Sequence, residues 1–376
     1  FVARHGKIVL DEIINGTALR GGNPLAADTI YRLHSMTKPV TAVAMLQLYE
    51  RGLWKLDDPI TKFIPEFANL RVYKGPVNGQ VVTDPVARPA TMLELMTHTA
   101  GFAYGLSNNP ALAGPVDILY FNSGLFTSTS TQAFVDKLAS LPLANQPGTK
   151  WLYSVAVDIQ GVIIERLTKK TLPQYMADNI FTPLKMVDTG FNVPENKRTR
   201  LATLYTNNEG SVLTLTPTPW KKGFAPFDAL EAMVFADPTP LASGGGGLLS
   251  TTADYARFAQ MLLSGGTLEG AQILKPETVK MMMSNQLTPE LIKEFSLSHP
   301  GLGFGMNGSV VMDPYKTGLK QAIGTYSWGG ASGTTFWVDP ASDLIAVGMT
   351  QALPALVDYT SVISPRIYDA LLAPSK

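Results

Sequence analysis

The most constraining feature of this sequence is one charged residue near the start of a long apolar segment. Residues 33–52 read L-H-S-M-T-K-P-V-T-A-V-A-M-L-Q-L-Y-E-R-G, and Lys38 is the only charged residue before Glu50. The apolar run predicts a buried helix that ends at Gly52. Because an ammonium group is costly to bury unless it is paired or used, Lys38 requires a partner or a chemical role.

Ser35 lies three positions before Lys38, and residues at i and i+3 share one face of a helix. The serine hydroxyl would then lie beside the ammonium, at a helix N-terminus that adds positive potential. A serine hydroxyl becomes a nucleophile only with such a neighbour, so Ser35 is a candidate nucleophile. The residues alone also allow Ser35 to be a helix cap and Lys38 to be solvated. Pro39 disfavours helical geometry at Lys38 and predicts a distorted first turn.

Composition excludes several classes of function. The 376 residues are 45% hydrophobic, enough for one large core or two lobes. Lys+Arg and Asp+Glu both number 30, and this balance argues against nucleic acid or an anionic membrane as the main partner. The absence of cysteine excludes disulfides, thiolate catalysis and Cys-ligated metals. No apolar run reaches the ~18 residues of a membrane-spanning helix, and no motif predicts a metal or cofactor.

The N-terminus gives little information about compartment. Residues 1–4 resemble a strand and lack the charge pattern of a signal peptide. The compartment therefore stays open, with the cytoplasm favoured over the periplasm, and homo-oligomerisation stays open as well.

Strand patterns are found at both ends of the chain and helical patterns between them. Residues 1–10 and 12–18 predict strands with a turn at 5–7, and residues 334–338 and 344–350 predict a hairpin. This arrangement indicates one sheet built from both ends, with a mostly helical lobe between, and a loop-rich region at 190–240. Helices are predicted at 91–96, 131–138, 157–167, 252–263, 275–283 and 357–372.

Two further segments accompany the S-x-x-K pattern. Residues 146–155 read Q-P-G-T-K-W-L-Y-S-V, and residues 327–334 read S-W-G-G-A-S-G-T and lead into the hairpin. Together the three segments resemble the serine β-lactamase and penicillin-binding protein superfamily, in which S-x-x-K, Tyr-x-Asn and Lys-Thr-Gly elements converge on one pocket. The resemblance covers nearly the whole chain, including the segments 95–102 and 244–250.

The resemblance implies an α/β fold of the α+β type, with an antiparallel sheet flanked by helices and a mostly helical domain. The sheet domain would be discontinuous, formed by residues 1–34 and 240–376, and the helical domain would span residues 35–239. The active site would lie at their interface.

Two departures from the superfamily pattern indicate a branch. Trp328-Gly329-Gly330 takes the place of Lys-Thr-Gly, and Val155 stands where class C β-lactamases carry asparagine. Both changes are similar to the family VIII carboxylesterases. The resemblance thus implies a serine carboxylesterase that hydrolyses a small-molecule ester with a short acyl chain, through an acyl-enzyme intermediate.

The resemblance also assigns roles to individual residues. Ser35 would be the nucleophile, with Lys38 and Tyr153 as the proton-transfer pair, since a neighbouring ammonium favours the phenolate form of a tyrosine. The oxyanion hole would consist of the backbone N–H groups of Ser35 and Ala331, two donors that typically supply several kcal/mol. The implied substrate-binding residues are Tyr104, Val155, Trp328, Gly329 and Gly330.

Lys316-Thr317-Gly318 spells the third superfamily motif literally. It follows Asp313-Pro314-Tyr315 and does not lead into a strand, whereas Trp328-Gly329-Gly330 directly precedes the predicted hairpin. We therefore expect Lys316 to lie in a surface turn.

Other serine hydrolases fit the sequence less well. An α/β-hydrolase requires G-x-S-x-G, which does not occur, and the histidines number only four: His5, His34, His98 and His299. Within the superfamily, a class C-like β-lactamase, a D-Ala-D-Ala peptidase and an acyltransferase stay open. A non-enzymatic alternative is a ligand sensor that is acylated without turnover.

Overall fold

The computed structural model describes residues 1–14, 24–78, 80–107, 109–111, 113–206, 225–226, 234–236, 239–355 and 358–372. The α-helices in these ranges are α1 (Thr37–Glu50), α2 (Met92–Met96), α3 (Pro115–Asn122), α4 (Thr131–Ala139), α5 (Ala156–Thr168), α6 (Leu172–Met176), α7 (Thr252–Leu263), α8 (Pro276–Met282), α9 (Pro289–Ser298), α10 (Pro314–Thr317) and α11 (Tyr359–Leu372).

The strands are β1 (Val2–Arg4), β2 (Lys7–Leu10), β3 (Tyr31–Arg32), β4 (Arg71–Val77), β5 (Gln80–Pro85), β6 (Tyr205–Thr206), β7 (Ala225–Pro226), β8 (Leu249–Ser250), β9 (Thr267–Leu268), β10 (Ala271–Gln272), β11 (Leu302–Phe304), β12 (Ser309–Val311), β13 (Tyr326–Gly329), β14 (Thr335–Asp339), β15 (Leu344–Gly348) and β16 (Ala352–Leu353).

The main sheet has seven strands in the order β11-β12-β13-β14-β15-β1-β2, and every neighbouring pair is antiparallel. The fold class inferred from the sequence is confirmed, because strands from the two ends of the chain lie side by side. The strand predicted at 12–18 is not formed at residues 12–14, and residues 15–18 lie outside the described ranges. Much of the loop-rich region 190–240 also lies outside them.

The two faces of this sheet bury different residues, because successive side chains of a strand point to opposite faces. On β14, Phe336 and Val338 join the main core, in which α7 packs against β14 and β15. Trp337 faces the other way, in a smaller cluster with residues of α11. All three side chains are at most 1% exposed, and burying a side chain of this size contributes about 1.5–3 kcal/mol.

Helix α1 is buried on every side and packs against α5. Its residues from Thr37 to Leu46 are all buried, Lys38 among them. A helix that is apolar all round belongs to the interior of a large core, as the sequence predicted for this segment. Lys38 is therefore fully buried, while Ser35, just before α1, is partly exposed.

The segment 35–239 holds helices α1–α6 and also the β4–β5 hairpin. The division into a discontinuous sheet domain and a helical domain stays a prediction. Among the described residues, no helix combines the length and the apolar character needed to cross a bilayer.

Candidate active site

Ser35 lies in a 3₁₀ turn, His34–Met36, that leads directly into α1. Lys38 and Pro39 themselves lie in α1, so the irregular turn precedes them and Pro39 does not prevent helical geometry at Lys38. The turn is fixed from the sheet side, because the Tyr255 hydroxyl on α7 donates a 2.8 Å hydrogen bond to the Met36 carbonyl oxygen. The serine hydroxyl is therefore presented by rigid secondary structure.

The Lys38 side chain has no exposed surface and uses all three of its N–H donors. Its Nζ donates to Ser35 Oγ at 3.2 Å, to the Tyr104 hydroxyl at 3.1 Å and to the Gly245 carbonyl oxygen at 2.7 Å. Three donors facing three oxygens fit the protonated amine. The ammonium that the sequence left in need of a partner is fully partnered.

Tyr153 approaches Ser35 from the other side. Its hydroxyl donates a 2.7 Å hydrogen bond to Ser35 Oγ, and Lys38 Nζ lies 4.6 Å from the centre of its ring. Tyr104 stacks on Tyr153 with 5.2 Å between ring centres and 16° between planes. The Ser35 hydroxyl oxygen is therefore in contact with both the Lys38 ammonium and the Tyr153 phenol.

The family-like segment Leu95–Phe102 explains how Tyr153 is held. The His98 carbonyl oxygen accepts a 2.9 Å hydrogen bond from the Leu152 N–H. His98 also bonds through Nδ1 to Ser154 Oγ at 3.0 Å and contacts the Tyr153 ring at 4.9 Å between centres. The loop thus clamps the residues on both sides of Tyr153.

Burial and neighbouring charges set the electrostatics of the site. Burial acts to lower the pKa of Lys38, but interactions with Tyr104, Tyr153 and Asp158 outweigh it, and the pKa is raised. Burial raises the pKa of Tyr104. Lys38 is therefore charged at neutral pH, and Tyr104 is neutral.

Neither nearby histidine is suited to act as the base. Burial, and then the charge on Lys38, lowers the pKa of His98 well below its usual value. Burial, with Arg32 and Lys38, lowers the pKa of His34 to about 4. Both rings are neutral at pH 7, and the contacts of His98 hold the segment around Tyr153 in place.

The segment after β13 lies against the Ser35 turn. The Gly330 N–H donates to the Thr334 carbonyl oxygen at 2.7 Å, and a Cβ on Gly330 would lie 2.2 Å from the Leu33 carbonyl oxygen, so only glycine allows this approach. Within the described ranges, the backbone N–H groups of Ser35 and Ala331 have no acceptor. These amides are the two that the resemblance assigned to the oxyanion hole.

Trp328 and Val155 have different surroundings. The Trp328 ring centre lies 5.6 Å from that of Tyr153 and 5.4 Å from that of Phe304, beside the reacting groups. Gly329, the next residue, is exposed. Val155 is 0% exposed and belongs to the main core, so it does not face an open pocket. Contact of Trp328 and Gly329 with substrate stays a prediction, while the burial of Val155 argues against the pocket position expected for it.

The literal Lys-Thr-Gly motif lies at the surface. Lys316 is in the one-turn helix α10, its side chain is 70% exposed, and its Nζ lies 3.1 Å from Asp313 Oδ2. The expectation of a surface position for Lys316 is confirmed.

Several contacts of the site were not found from the sequence. Tyr104 was assigned to substrate binding, and its hydrogen bond to Lys38 was not expected. Gly245, which accepts from Lys38, and the buried Asp158, which accepts from the Gly245 N–H at 3.1 Å, were also missed. A signal was present for Asp158, the only charged residue in the apolar segment 155–164.

A separate cavity of about 380 Å³ includes none of the candidate active-site residues. Among the described residues, no three histidine or carboxylate side chains gather closely enough to hold a metal ion. The cavity is lined in part by Phe67, Leu70, Arg71, Val86, Arg88 and Leu143.

Comparison with known proteins gives consistent results over most of the chain. Residues 1–362 match the family model described as Beta-lactamase. Protein Rv1367c of Mycobacterium tuberculosis is 37% identical over 91% of this chain and 82% of its own length. Esterase EstB of Burkholderia gladioli is 31% identical over 93% of this chain and 84% of its own length.

Comparison with a solved structure agrees with these sequence matches. EstCE1, described as a hydrolase with promiscuous acyltransferase activity, superimposes with a TM-score of 0.79. It is 25% identical, and the match covers 98% of this chain and 92% of that chain.

Proposed function

Because this chain belongs to the β-lactamase family of serine hydrolases, we propose that it is a carboxylesterase that cleaves short-chain acyl esters. The observation that carries the proposal is the position of Ser35 Oγ, 3.2 Å from Lys38 Nζ and 2.7 Å from the Tyr153 hydroxyl. Esterase EstB supports the choice of ester over lactam, as does a lovastatin esterase of Penicillium rubens that is 29% identical.

In the proposed acylation step, the phenolate form of Tyr153 accepts the proton of Ser35 as Oγ attacks the ester carbonyl carbon. The Lys38 ammonium stabilises the negative charge that passes between the two oxygens. The developing oxyanion accepts hydrogen bonds from the N–H groups of Ser35 and Ala331. As the tetrahedral intermediate collapses, Tyr153 returns the proton to the departing alcohol, and the acyl group remains on Ser35.

Deacylation repeats these steps with water as the nucleophile. Tyr153 takes a proton from the water that attacks the acyl carbonyl, and the carboxylic acid leaves as Ser35 recovers its proton. General-base assistance of this kind typically contributes about 10²–10⁴-fold.

The substrate class follows from what the pocket lacks. β-Lactamases hold a substrate carboxylate with the lysine of Lys-Thr-Gly, and losing one charge-assisted hydrogen bond removes roughly 1.5–3 kcal/mol of binding. Trp328 has no cationic group, and Val155 is a buried aliphatic residue with no amide. The indole beside Tyr153 favours an uncharged, partly apolar acyl or alcohol group of about two to six carbons.

A second candidate activity is acyl transfer to an alcohol. EstCE1 is described as having promiscuous acyltransferase activity, and an acyltransferase of Penicillium decumbens is 27% identical over 90% of this chain. The same acyl-enzyme serves both reactions, because an alcohol can replace water in the second step. Adding butanol to the ester assay and measuring butyl butyrate separates transfer from hydrolysis.

The test of the proposal compares p-nitrophenyl butyrate with nitrocefin on one preparation, by kcat/KM. We expect efficient butyrate hydrolysis, weak nitrocefin turnover and no cleavage of a D-Ala-D-Ala peptide. Nitrocefin outperforming the butyrate ester would refute the carboxylesterase assignment and favour a β-lactamase. An acylation burst with no later turnover would instead indicate a ligand sensor.

A further inference from the structure

Asp158 is a buried acid beneath the active site that the proposed reaction does not use. It lies on α5, is 6% exposed and accepts two hydrogen bonds at Oδ1. The donors are Ser243 Oγ at 2.5 Å and the Gly245 N–H at 3.1 Å. Its second oxygen, Oδ2, has no hydrogen-bond partner in the part of the chain that the structure describes.

Gly245 connects this carboxylate to the catalytic lysine. Its N–H donates to Asp158, and its carbonyl oxygen accepts the 2.7 Å hydrogen bond from Lys38 Nζ. A Cβ on Gly245 would lie 2.6 Å from Asp158 Oδ2, so a side chain at this position would force the two apart. Two consecutive hydrogen bonds therefore link the Asp158 carboxylate, the Gly245 peptide and the Lys38 ammonium.

We propose that Asp158 is a positioning residue for Lys38: its carboxylate fixes the Gly245 peptide and keeps the lysine aimed at Ser35. The proposal rests on the function proposed above for Ser35 and Lys38. In many enzymes a third group orients the nucleophile and its proton-transfer partner, and Asp158 would have that role here.

Electrostatics agree with this role. A carboxylate buried alone is strongly disfavoured, and here two donors and a nearby ammonium compensate for the lost hydration. Burial raises the pKa of Asp158, while Lys38 and the two hydrogen bonds oppose that rise. The titratable groups that interact with Lys38 are Tyr104, Tyr153, Asp158, His34 and His98.

The substitution Asp158→Asn separates charge from shape, because the amide oxygen can still accept from Ser243 and Gly245. Removing the negative charge removes one of the interactions that raise the pKa of Lys38. The lysine then loses its proton at a lower pH, so the alkaline limb of the kcat profile moves to lower pH. A shift of one pKa unit changes the ratio of charged to neutral lysine about tenfold.

The matched control is Asp254→Asn. Asp254 is also a buried acid, 5% exposed, and it accepts from the Asp188 N–H at 2.7 Å and from Thr189 Oγ1 at 2.8 Å. It makes none of the contacts that join Asp158 to Lys38. Any general cost of neutralising a buried carboxylate is expected in both variants, while the change in pH profile is expected only in Asp158→Asn.

The experiment measures kcat and KM for p-nitrophenyl butyrate across a pH series, together with the rate at which a fluorophosphonate probe labels Ser35. For Asp158→Asn we expect kcat and the labelling rate to fall about tenfold or more, with KM within about twofold. The alkaline limb should move to lower pH, and Asp254→Asn should keep the wild-type profile. Unchanged kcat, labelling rate and pH profile in folded Asp158→Asn would overturn the proposal.

A second variant covers the case in which Asp158→Asn does not fold. Ser243→Ala keeps the charge on Asp158 and removes one donor, so we expect a smaller fall in the labelling rate. An unchanged labelling rate in that variant would refute the proposal. The labelling readout also separates the two proposals: slow labelling of Asp158→Asn would support Asp158 as a positioning residue even if the wild-type protein left all esters intact.

Discussion

Two lysines of this chain occupy family motifs, and the structure gives them opposite surroundings. Lys38, in Ser-x-x-Lys, is 0% exposed and donates to three oxygens. Lys316, in a literal Lys-Thr-Gly, has a side chain that is 70% exposed and pairs with the neighbouring Asp313. The position of a motif in the fold therefore says more about its chemistry than the motif itself.

Energetics support this distinction. An exposed ion pair such as Lys316 with Asp313 contributes about 0–1 kcal/mol, because water screens it. Breaking a buried, fully paired charge costs roughly 3–5 kcal/mol, because the partners are left without compensation. Removing the Lys38 charge is therefore expected to cost much more than removing the Lys316 charge.

The largest effect is expected from replacing each of the two lysines with alanine. Lys38→Ala should reduce kcat/KM for p-nitrophenyl butyrate by at least about 10²–10⁴-fold, because Ser35 loses the cation beside it. Lys316→Ala, the matched control, should remain close to wild type. Thermal unfolding of both variants separates lost chemistry from lost structure. A collapse of activity in Lys316→Ala would reverse the motif assignment and favour a β-lactamase.

The two tyrosines at the site provide a finer comparison. Tyr153→Phe removes the hydroxyl that contacts Ser35 and should lower kcat about 10²–10⁴-fold. Tyr104→Phe should cost less, because the Tyr104 hydroxyl contacts Lys38 rather than the nucleophile. Steady-state kinetics of both variants would show the order. Near-normal kcat in Tyr153→Phe would mean that another group accepts the proton of Ser35.

Trp328, which takes the place of the motif lysine, should govern substrate preference more than rate. Aromatic contacts of this kind contribute about 0.5–1.5 kcal/mol, so Trp328→Ala should raise KM roughly 2- to 10-fold. The preferred acyl length should change as well, whereas Trp328→Phe should retain most of both properties. The check is a series of p-nitrophenyl esters of increasing chain length. An unchanged KM series would remove Trp328 from the pocket.

A further prediction concerns stability rather than catalysis, and its dependence on pH. Burial lowers the pKa of His34 to about 4, so the folded state binds this proton less readily than the unfolded chain. The contribution of the neutral His34 ring to the free energy of unfolding is therefore fully present above pH 6.5, near the pKa of histidine in the unfolded chain. This contribution is lost as the pH falls towards 4. The loss amounts to about 3 kcal/mol.

Denaturant unfolding of the wild-type protein and of His34→Gln, at pH 7 and at pH 4.5, measures this contribution. The His34→Gln variant should lose less stability than the wild type on acidification. Equal losses in both proteins would show that His34 does not titrate as described.

Local patterns predicted much of the fold. The helix predicted at 252–263 matches α7 to the residue, and the hairpin predicted at 334–350 matches β14 and β15 to within two residues. In these segments one periodicity and clear turn residues determine the outcome. By contrast, the hydrogen bonds of Lys38 to Tyr104 and Gly245 span 66 and 207 positions, and no local pattern reports such contacts.

Val155 illustrates a limit of motif matching. Its position in Tyr-Ser-Val indicated a pocket residue. Its side chain is instead fully buried, and the residue lies directly before the first residue of α5. A motif aligns positions along the chain, while the direction of each side chain depends on the local backbone and on packing. Tyr153, two positions earlier, does point at Ser35.

The most direct test is to trap the acyl-enzyme. The protein is mixed with p-nitrophenyl butyrate, quenched in acid within the first turnover, digested and examined by mass spectrometry. We expect the mass of one butyryl group on the peptide that contains Ser35, and neither label nor turnover in Ser35→Ala. A butyryl group on another residue, or ester turnover retained by folded Ser35→Ala, would show that Ser35 is not the nucleophile.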